Sequence, residues 1–169
     1  ETERRNIVAA YRNVFDDTYR PDEAEISNAD FDISGWVHSG SGLKMSFEEM
    51  REWADATLNR LVGLPGKHVL EIGCGMGLLL DLAKFFETYT GTDISEVALR
   101  HVRHLAERRN LENVRLEWRE AENFEGIGRG DFDLVVLNSI IQYFPDPVYL
   151  TRVLDQAKRA MNEAGTIFV

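Results

Sequence analysis

Apolar Val69, Leu70 and Ile72 run straight into Gly73, Gly75 and Gly77, and Leu78, Leu79 and Leu80 follow. A short apolar run of this kind suits a buried strand, and glycine tolerates the positive φ values that side chains resist. Residues 68 to 77 therefore predict a strand that breaks into a glycine turn opening a helix. That junction limits the chain to few folds, because it brings bare backbone to a ligand at the carboxyl end of a parallel strand.

The pattern continues on both sides of the turn. Strands are expected at 67–72, 88–93, 113–118, 132–138 and 165–169, with helices at 76–86, 96–109 and from Pro147 onward. Asp146 suits the N-cap of the last helix and Pro147 its first position, while Leu150, Val153, Leu154, Ala157 and Met161 form its apolar stripe. Such alternation implies a parallel sheet with helices on both faces. Upstream, Ile7, Val8, Tyr11, Val14 and Phe15 recur at helical spacing within residues 4–16. Ser46 and Glu49 form a capping box ahead of Phe47, Met50, Ala54, Thr57, Leu58 and Leu61 on one helix face, and Pro65-Gly66 ends that helix. From Tyr19 to Gly42 periodicity vanishes. Pro21, a run of acids, Gly35, Gly40 and Gly42 mark a long loop there, which is expected to act as a lid. The expected division is 1–64 for the N-terminal helices and lid and 65–169 for the ligand-binding core, within one structural domain.

The spacing of the glycines selects the ligand. A dinucleotide-binding turn reads G-x-G-x-x-G, and its third glycine would fall at Leu78. Here the pattern is G-x-G-x-G, with Glu71 two residues before the first glycine. A carboxylate at that point repels a diphosphate and favours a cation. Asp93 closes the next strand 20 residues beyond Gly73, where a carboxylate accepts hydrogen bonds from ribose hydroxyls. A nucleoside with positive charge and no phosphate describes S-adenosylmethionine, and Leu78 weakens the alternative of a nicotinamide oxidoreductase.

Glu71-Ile-Gly-Cys-Gly-Met-Gly, Gly91-Thr-Asp-Ile-Ser95 and Glu120-Ala-Glu122 resemble the successive cofactor motifs of class I S-adenosylmethionine-dependent methyltransferases. Asn138-Ser-Ile-Ile-Gln-Tyr-Phe-Pro145 is similar to the motif after strand 4 in the methyltransferase domains embedded in nonribosomal peptide synthetases. So are Glu49-Met-Arg-Glu-Trp-Ala-Asp-Ala-Thr57 and, upstream of it, Gly35-Trp36. The resemblance covers the chain from about Tyr11 to Val169. It implies an α/β, Rossmann-like parallel sheet with helices on both faces and an N-terminal helical lid. It also implies a domain cut short after its fifth strand, since family members continue into two more.

The same resemblance implies roles for individual residues. Glu71 would meet the ammonium of the methionine part, Gly73, Gly75 and Gly77 would bring backbone close to the cofactor, and Asp93 would hold the ribose. Ile94 would pack on the adenine face, Glu120 would accept the adenine amino group, and Ala121 would offer its N–H to the ring. Because Glu117, Glu120 and Glu122 lie within six positions, the choice of acid stays open. Asn138 and Ser139 would lie beside the methionine moiety and substrate, Gln142 and Tyr143 would line the acceptor pocket, and Trp36 would close over the cofactor. The product would be S-adenosylhomocysteine. The implied partners are a carrier protein with a phosphopantetheine-tethered substrate and the neighbouring synthetase domains.

Composition narrows the partners further. With 19 basic and 29 acidic residues the net charge is −10, which opposes binding to nucleic acid or anionic membranes. No apolar run approaches the length of a membrane span, and no secretory segment opens the sequence, so a cytoplasmic location is expected. The basic stretch from Arg100 to Arg109 would either steer an acidic carrier protein or form a solvated helix face. The single cysteine, Cys74, sits between two glycines as a small filler; it excludes an internal disulfide and leaves no thiolate cluster for a metal.

Methyl transfer demands alignment and exclusion of water more than acid or base chemistry. An amine acceptor need only be unprotonated, whereas a carbon acceptor needs a base to remove a proton. His38 is the histidine placed in the expected lid, so it separates the two cases; His68, His101 and His104 read as structural or exposed. His38, Asn138 and Tyr143 are therefore the catalytic candidates, although His38-Ser39-Gly40 departs from the family, whose synthetase domains carry small polar residues followed by an aromatic there. N-methylation of a carrier-bound aminoacyl or peptidyl thioester is the expected reaction. The rival readings are C- or O-methylation of a carrier-bound intermediate with His38 as base, and a non-catalytic docking module.

Overall fold

The computed structural model describes residues 2–20 and 30–169. Of the loop expected from Tyr19 to Gly42, residues 21–29, with Pro21, Asp22, Glu23 and Glu25, lie outside the described residues. The apolar spacing of the N-terminal segment forms helix α1 (Thr2–Thr18), and the capping box opens α2 (Phe47–Val62). Ser46 Oγ accepts the Glu49 N–H at 3.2 Å and Glu49 Oε2 accepts the Ser46 N–H at 2.8 Å, satisfying donors that a helix start leaves free. The remaining chain runs β1 (His68–Ile72), β2 (Thr88–Asp93), α3 (Glu96–Arg108), β3 (Val114–Trp118), β4 (Phe132–Val136), α4 (Pro147–Ala160) and β5 (Met161–Phe168). Ser95 caps α3 by accepting the Ala98 N–H at 3.1 Å, and Asp146 caps α4 by accepting the Tyr149 N–H at 2.9 Å.

Three elements depart from expectation. The helix expected at 76–86 is a short 3₁₀ turn, Leu80–Lys84. Gly75 and Gly77 hold φ values of 49° and 77°, outside any right-handed helix, so winding cannot begin where the apolar residues do. The segment also carries little polar surface, since Leu79, Leu80, Leu82, Ala83 and Phe86 are all buried and only Asp81 and Lys84, paired at 2.9 Å, offer charge to solvent. A tight turn lets side chains on several sides reach the core where an amphipathic helix would expose some of them. β4 ends at Val136 rather than at residue 138, and Ser139 then takes φ 55° in the left-handed region. β5 begins at Met161, directly after α4, and meets β4 with a register irregularity between Phe132 and Leu134. Its first residues include the exposed Glu163 and Ala164, which hide the strand in the sequence.

All strand pairs are parallel, in the order β3-β2-β1-β4-β5. Period-two alternation sends Val69, Tyr89, Leu134 and Val136 to one face, against Leu61 of α2, the 3₁₀ turn, and Val102 and Leu105 of α3. Leu70, Ile72, Val135 and Leu137 face the other way, against Val8 of α1 and Tyr149, Val153 and Ala157 of α4. The two N-terminal helices thus pack on opposite faces of the sheet. Strand order reverses between β1 and β4, so the crossover connections diverge there and leave a crevice at the carboxyl ends. Among the described residues, no helix is long and apolar enough to cross a membrane.

Candidate functional site

A cavity of about 490 Å³ opens at this crevice. Its floor is the turn after β1. Gly73 has φ 74°, and a Cβ there would lie 2.4 Å from Ile140 Cγ2, so the turn and the segment after β4 meet only because residue 73 has no side chain. The Gly73 and Cys74 N–H groups donate to the Thr92 carbonyl at 2.8 and 3.0 Å. The Gly75 N–H donates to Asp93 Oδ2 at 2.9 Å and the Ser95 N–H to Asp93 Oδ1 at 2.8 Å. The carboxylate that ends β2 therefore ties the glycine turn to the start of α3.

Two carboxyls share this floor. Glu71 is 3% exposed and Asp93 8%. Burial pushes the Glu71 carboxyl up to about 8, a rise that the Tyr89 hydroxyl opposes and the charge of Asp93 reinforces. Burial likewise raises Asp93, against the lowering effect of the Ser95, Gly75 and Ile94 N–H groups. The Cys74 thiol is held well above its ordinary range by burial and by Asp93 and Glu71, which keeps it neutral and suits a filler rather than a nucleophile.

Most of the residues singled out in the sequence converge on the cavity: Trp36, Glu71, Gly73, Gly75, Asp93, Ile94, Ala121, Asn138, Ser139, Gln142 and Tyr143 all line it. Trp36 also packs on Trp53 of α2, with ring centroids 4.8 Å apart. Gln142 Nε2 donates to the Ser139 carbonyl at 2.7 Å, which ties the post-β4 segment to itself.

Gly77, Glu120 and His38 do not line it. Gly77 faces α3, where a Cβ would come within 3.1 Å of Val102 Cγ2, so its role is packing. Glu120 accepts from Arg12 of α1 at 3.3 Å, while Glu117 pairs with Arg119 and Glu122 with Arg152. Each of the three acids thus has a cation of its own, and the neighbour that reaches the cavity is Ala121. His38 begins a tight hairpin in which its N–H donates to the Leu43 carbonyl and its carbonyl accepts the Gly42 N–H. That turn sends the ring outward, with Nε2 3.6 Å from Glu49 Oε2.

Sequence reading missed the wall opposite the glycine turn. Tyr11 and Phe15 of α1 and Tyr19 just after it line the cavity, and Tyr143 meets Phe15 edge-on with centroids 5.1 Å apart. Their spacing of four residues was the available signal, but an aromatic stripe reads equally as core. Arg119 also lines the cavity; its guanidinium donates to the Asn123 and Glu125 carbonyls at 3.1 and 3.2 Å, holding the loop that carries Ala121.

The lining suits S-adenosylmethionine. Two buried carboxyls and a glycine turn offer partners for charged and polar groups, and aromatic and aliphatic side chains make up the rest of the lining. Among the described residues there is no cluster of His, Cys, Asp or Glu able to hold a metal ion. A family model described as a methyltransferase domain matches residues 70–167. Chondramide synthase of Chondromyces crocatus is 41% identical over 141 residues, covering 82% of this chain and 4% of that protein. The beauvericin nonribosomal cyclodepsipeptide synthetase of Beauveria bassiana is 35% identical over 134 residues, covering 76% of this chain and 4% of that protein. The chain therefore spans only a few per cent of the length of these curated relatives. Among solved structures, phosphoethanolamine N-methyltransferase 1 of Haemonchus contortus, in complex with phosphoethanolamine and S-adenosylhomocysteine, shares the fold. Its TM-score is 0.72 at 17% identity, with coverage of 97% of this chain and 32% of that one. The chain belongs to the methyltransferase domain family, as a class I S-adenosylmethionine-dependent methyltransferase resembling the domains of nonribosomal peptide synthetases.

Proposed function

We propose that this domain N-methylates an aminoacyl or peptidyl group held as a thioester on a carrier protein during nonribosomal peptide biosynthesis. The observation that carries the choice of nitrogen is the make-up of the acceptor wall. Residues 138–145 and α1 present Asn138, Gln142, Tyr143, Tyr11 and Phe15 to the cavity, and none of the four histidines lines it. An amine with an ordinary pKa of about 7.7 to 8.0 loses its proton to water readily, and burial lowers that value further, so no positioned base is needed.

S-adenosylmethionine supplies a methyl group on a sulfonium, a carbon already activated toward displacement. The protein's contribution is then placement. Glu71 and Asp93 hold the donor, Asn138 and Ser139 set the entrance beside β4, and Tyr143 with the α1 aromatics shields the reacting groups from water. Trp36 closes the far side. The relatives' names support a synthetase setting, with a phosphopantetheine-bearing carrier and adjacent synthetase domains as partners.

The test is mass spectrometry of aminoacyl-loaded carrier proteins incubated with the domain and labelled donor, with His38→Ala in parallel. The expected result is a gain of one methyl on nitrogen, at a rate that His38→Ala leaves within about threefold. Methyl on carbon, lost in His38→Ala, would establish the carbon-acceptor reading instead. Donor binding with no transfer to any loaded carrier would point to docking.

A further inference from the structure

A buried tyrosine lies beneath the cavity floor. Tyr89, fully buried on β2, donates its hydroxyl proton to Glu71 Oε2 at 2.5 Å. The strand register explains the reach. Val69 pairs with Tyr89 and Glu71 with Gly91, so the ring must lie along the sheet past residue 91 to touch the carboxyl. It can do so because residue 91 is glycine: a Cβ there would lie 3.0 Å from Tyr89 Cε1, 3.1 Å from Leu116 Cδ2 and 3.2 Å from Cys74 Sγ. Glycine in the middle of a strand weakens the strand, so its presence here has a local reason.

We propose that Tyr89 is a positioning residue for the methyl donor: its hydroxyl holds the Glu71 carboxyl in one orientation at the cavity wall, and the donor binds by displacing the proton that this carboxyl carries. The inference rests on the assignment of Glu71 to the donor's ammonium. In the buried floor the carboxyl is stable as the neutral acid at neutral pH, because burial raises it to about 8. A cation brought beside it reverses that preference, and the proton leaves to solvent. The titratable groups that face Glu71 are Tyr89 and Asp93 on β2 and Cys74 in the turn, with Tyr19, just after α1, beyond Asp93. Burial holds both tyrosines and the cysteine in their neutral forms over the same range.

Below the range where the donor's own ammonium loses its proton, binding that releases one proton strengthens about tenfold per pH unit. The Tyr89 hydroxyl stabilises the ionised carboxyl, so removing it moves the rise in affinity to higher pH. The test is calorimetry of S-adenosylmethionine binding between pH 6 and 8, in buffers of different ionisation enthalpy, for the parent, Tyr89→Phe and Glu71→Gln. The expected results are close to one proton released per donor bound by the parent at pH 6.5, and a pH profile displaced upward in Tyr89→Phe with at least a fivefold weaker affinity at pH 7. Glu71→Gln should bind with no such slope. A parent that binds without releasing a proton overturns the proposal, and this measurement needs no variant to fold. A Tyr89→Phe profile that superimposes on the parent's overturns it too. A parent-like slope in Glu71→Gln would instead withdraw the assignment of Glu71 to the donor.

Discussion

Replacing Gly73 with alanine tests the geometry of the floor most directly. Two costs add at this residue. At φ 74° an alanine Cβ crowds its own backbone, which costs about 1–2 kcal/mol. The same Cβ falls 2.4 Å from Ile140 Cγ2 and 3.2 Å from Ile140 Cδ1, so Ile140 must move, at an overpacking cost of about 1–3 kcal/mol. The sum is a loss of about 2–5 kcal/mol, a large part of the total stability of a typical domain. Urea denaturation of the parent, Gly73→Ala, Ile140→Ala and the double variant separates the two parts. Ile140→Ala removes Cγ2 and Cδ1 and leaves Cβ 3.3 Å away, so in that background Gly73→Ala should retain little beyond the backbone cost of about 1–2 kcal/mol. The difference between backgrounds is the steric coupling between the turn and the segment after β4. A Gly73→Ala cost of less than about 0.5 kcal/mol, or the same cost in both backgrounds, would refute the close approach on which the cavity floor depends.

Further outcomes follow from the same floor. Ser95 is fully buried, accepts the Ala98 N–H and donates to Asp16 Oδ1 at 2.6 Å, so Ser95→Ala should lose about 1–2 kcal/mol in urea denaturation by uncapping α3 and stranding the α1 acceptor. Asp93→Asn removes the charge from the proposed ribose site. With charged hydrogen bonds contributing about 1.5–3 kcal/mol each, calorimetry should record a donor affinity lower by roughly ten- to a hundredfold. Glu71 has a folded pKa raised from 4.5 to about 8, so its contribution to stability is fully present below 4.5 and is lost as pH rises toward 8. Thermal melts should therefore show Glu71→Gln gaining on the parent steadily across that window.

What could be read from the sequence was whatever is decided locally. The strand, the glycines and Asp93 declared the floor because positive φ and period-two burial are properties of neighbouring residues. The capping box and Asp146-Pro147 marked helix starts for the same reason. Most of what differs involves distant partners. Tyr11, Phe15 and Tyr19 form one stripe, and whether such a stripe buries itself or lines a ligand cavity depends on what α1 packs against. Glu120 matched the adenine acid, yet Arg12 from 108 positions away pairs with it. His38 looked like a base in a lid, but the hydrogen bonds of the 38–43 hairpin and Glu49 on α2 decide which way its ring points. The helix expected at 76–86 fails on backbone grounds instead: its apolar spacing runs across glycines whose φ values forbid helix.

Glu71 and Asp93 share one sheet face, so folding brings two carboxyls together out of water, a placement that a stability-driven sequence avoids. Replacing a carboxyl that serves structure destabilises the protein, because its hydrogen-bond partners are left unsatisfied. Replacing one kept for a cationic ligand does the reverse in the empty protein and weakens binding as well. Glu71→Gln keeps an acceptor for the Tyr89 hydroxyl while removing the charge, so the two explanations predict opposite signs. Above neutral pH the substituted protein should melt at a higher temperature than the parent, and it should gain less stability from saturating S-adenosylmethionine. If the empty variant melts lower than the parent at pH 8, Glu71 serves the fold, and the electrostatic account of donor recognition fails with it.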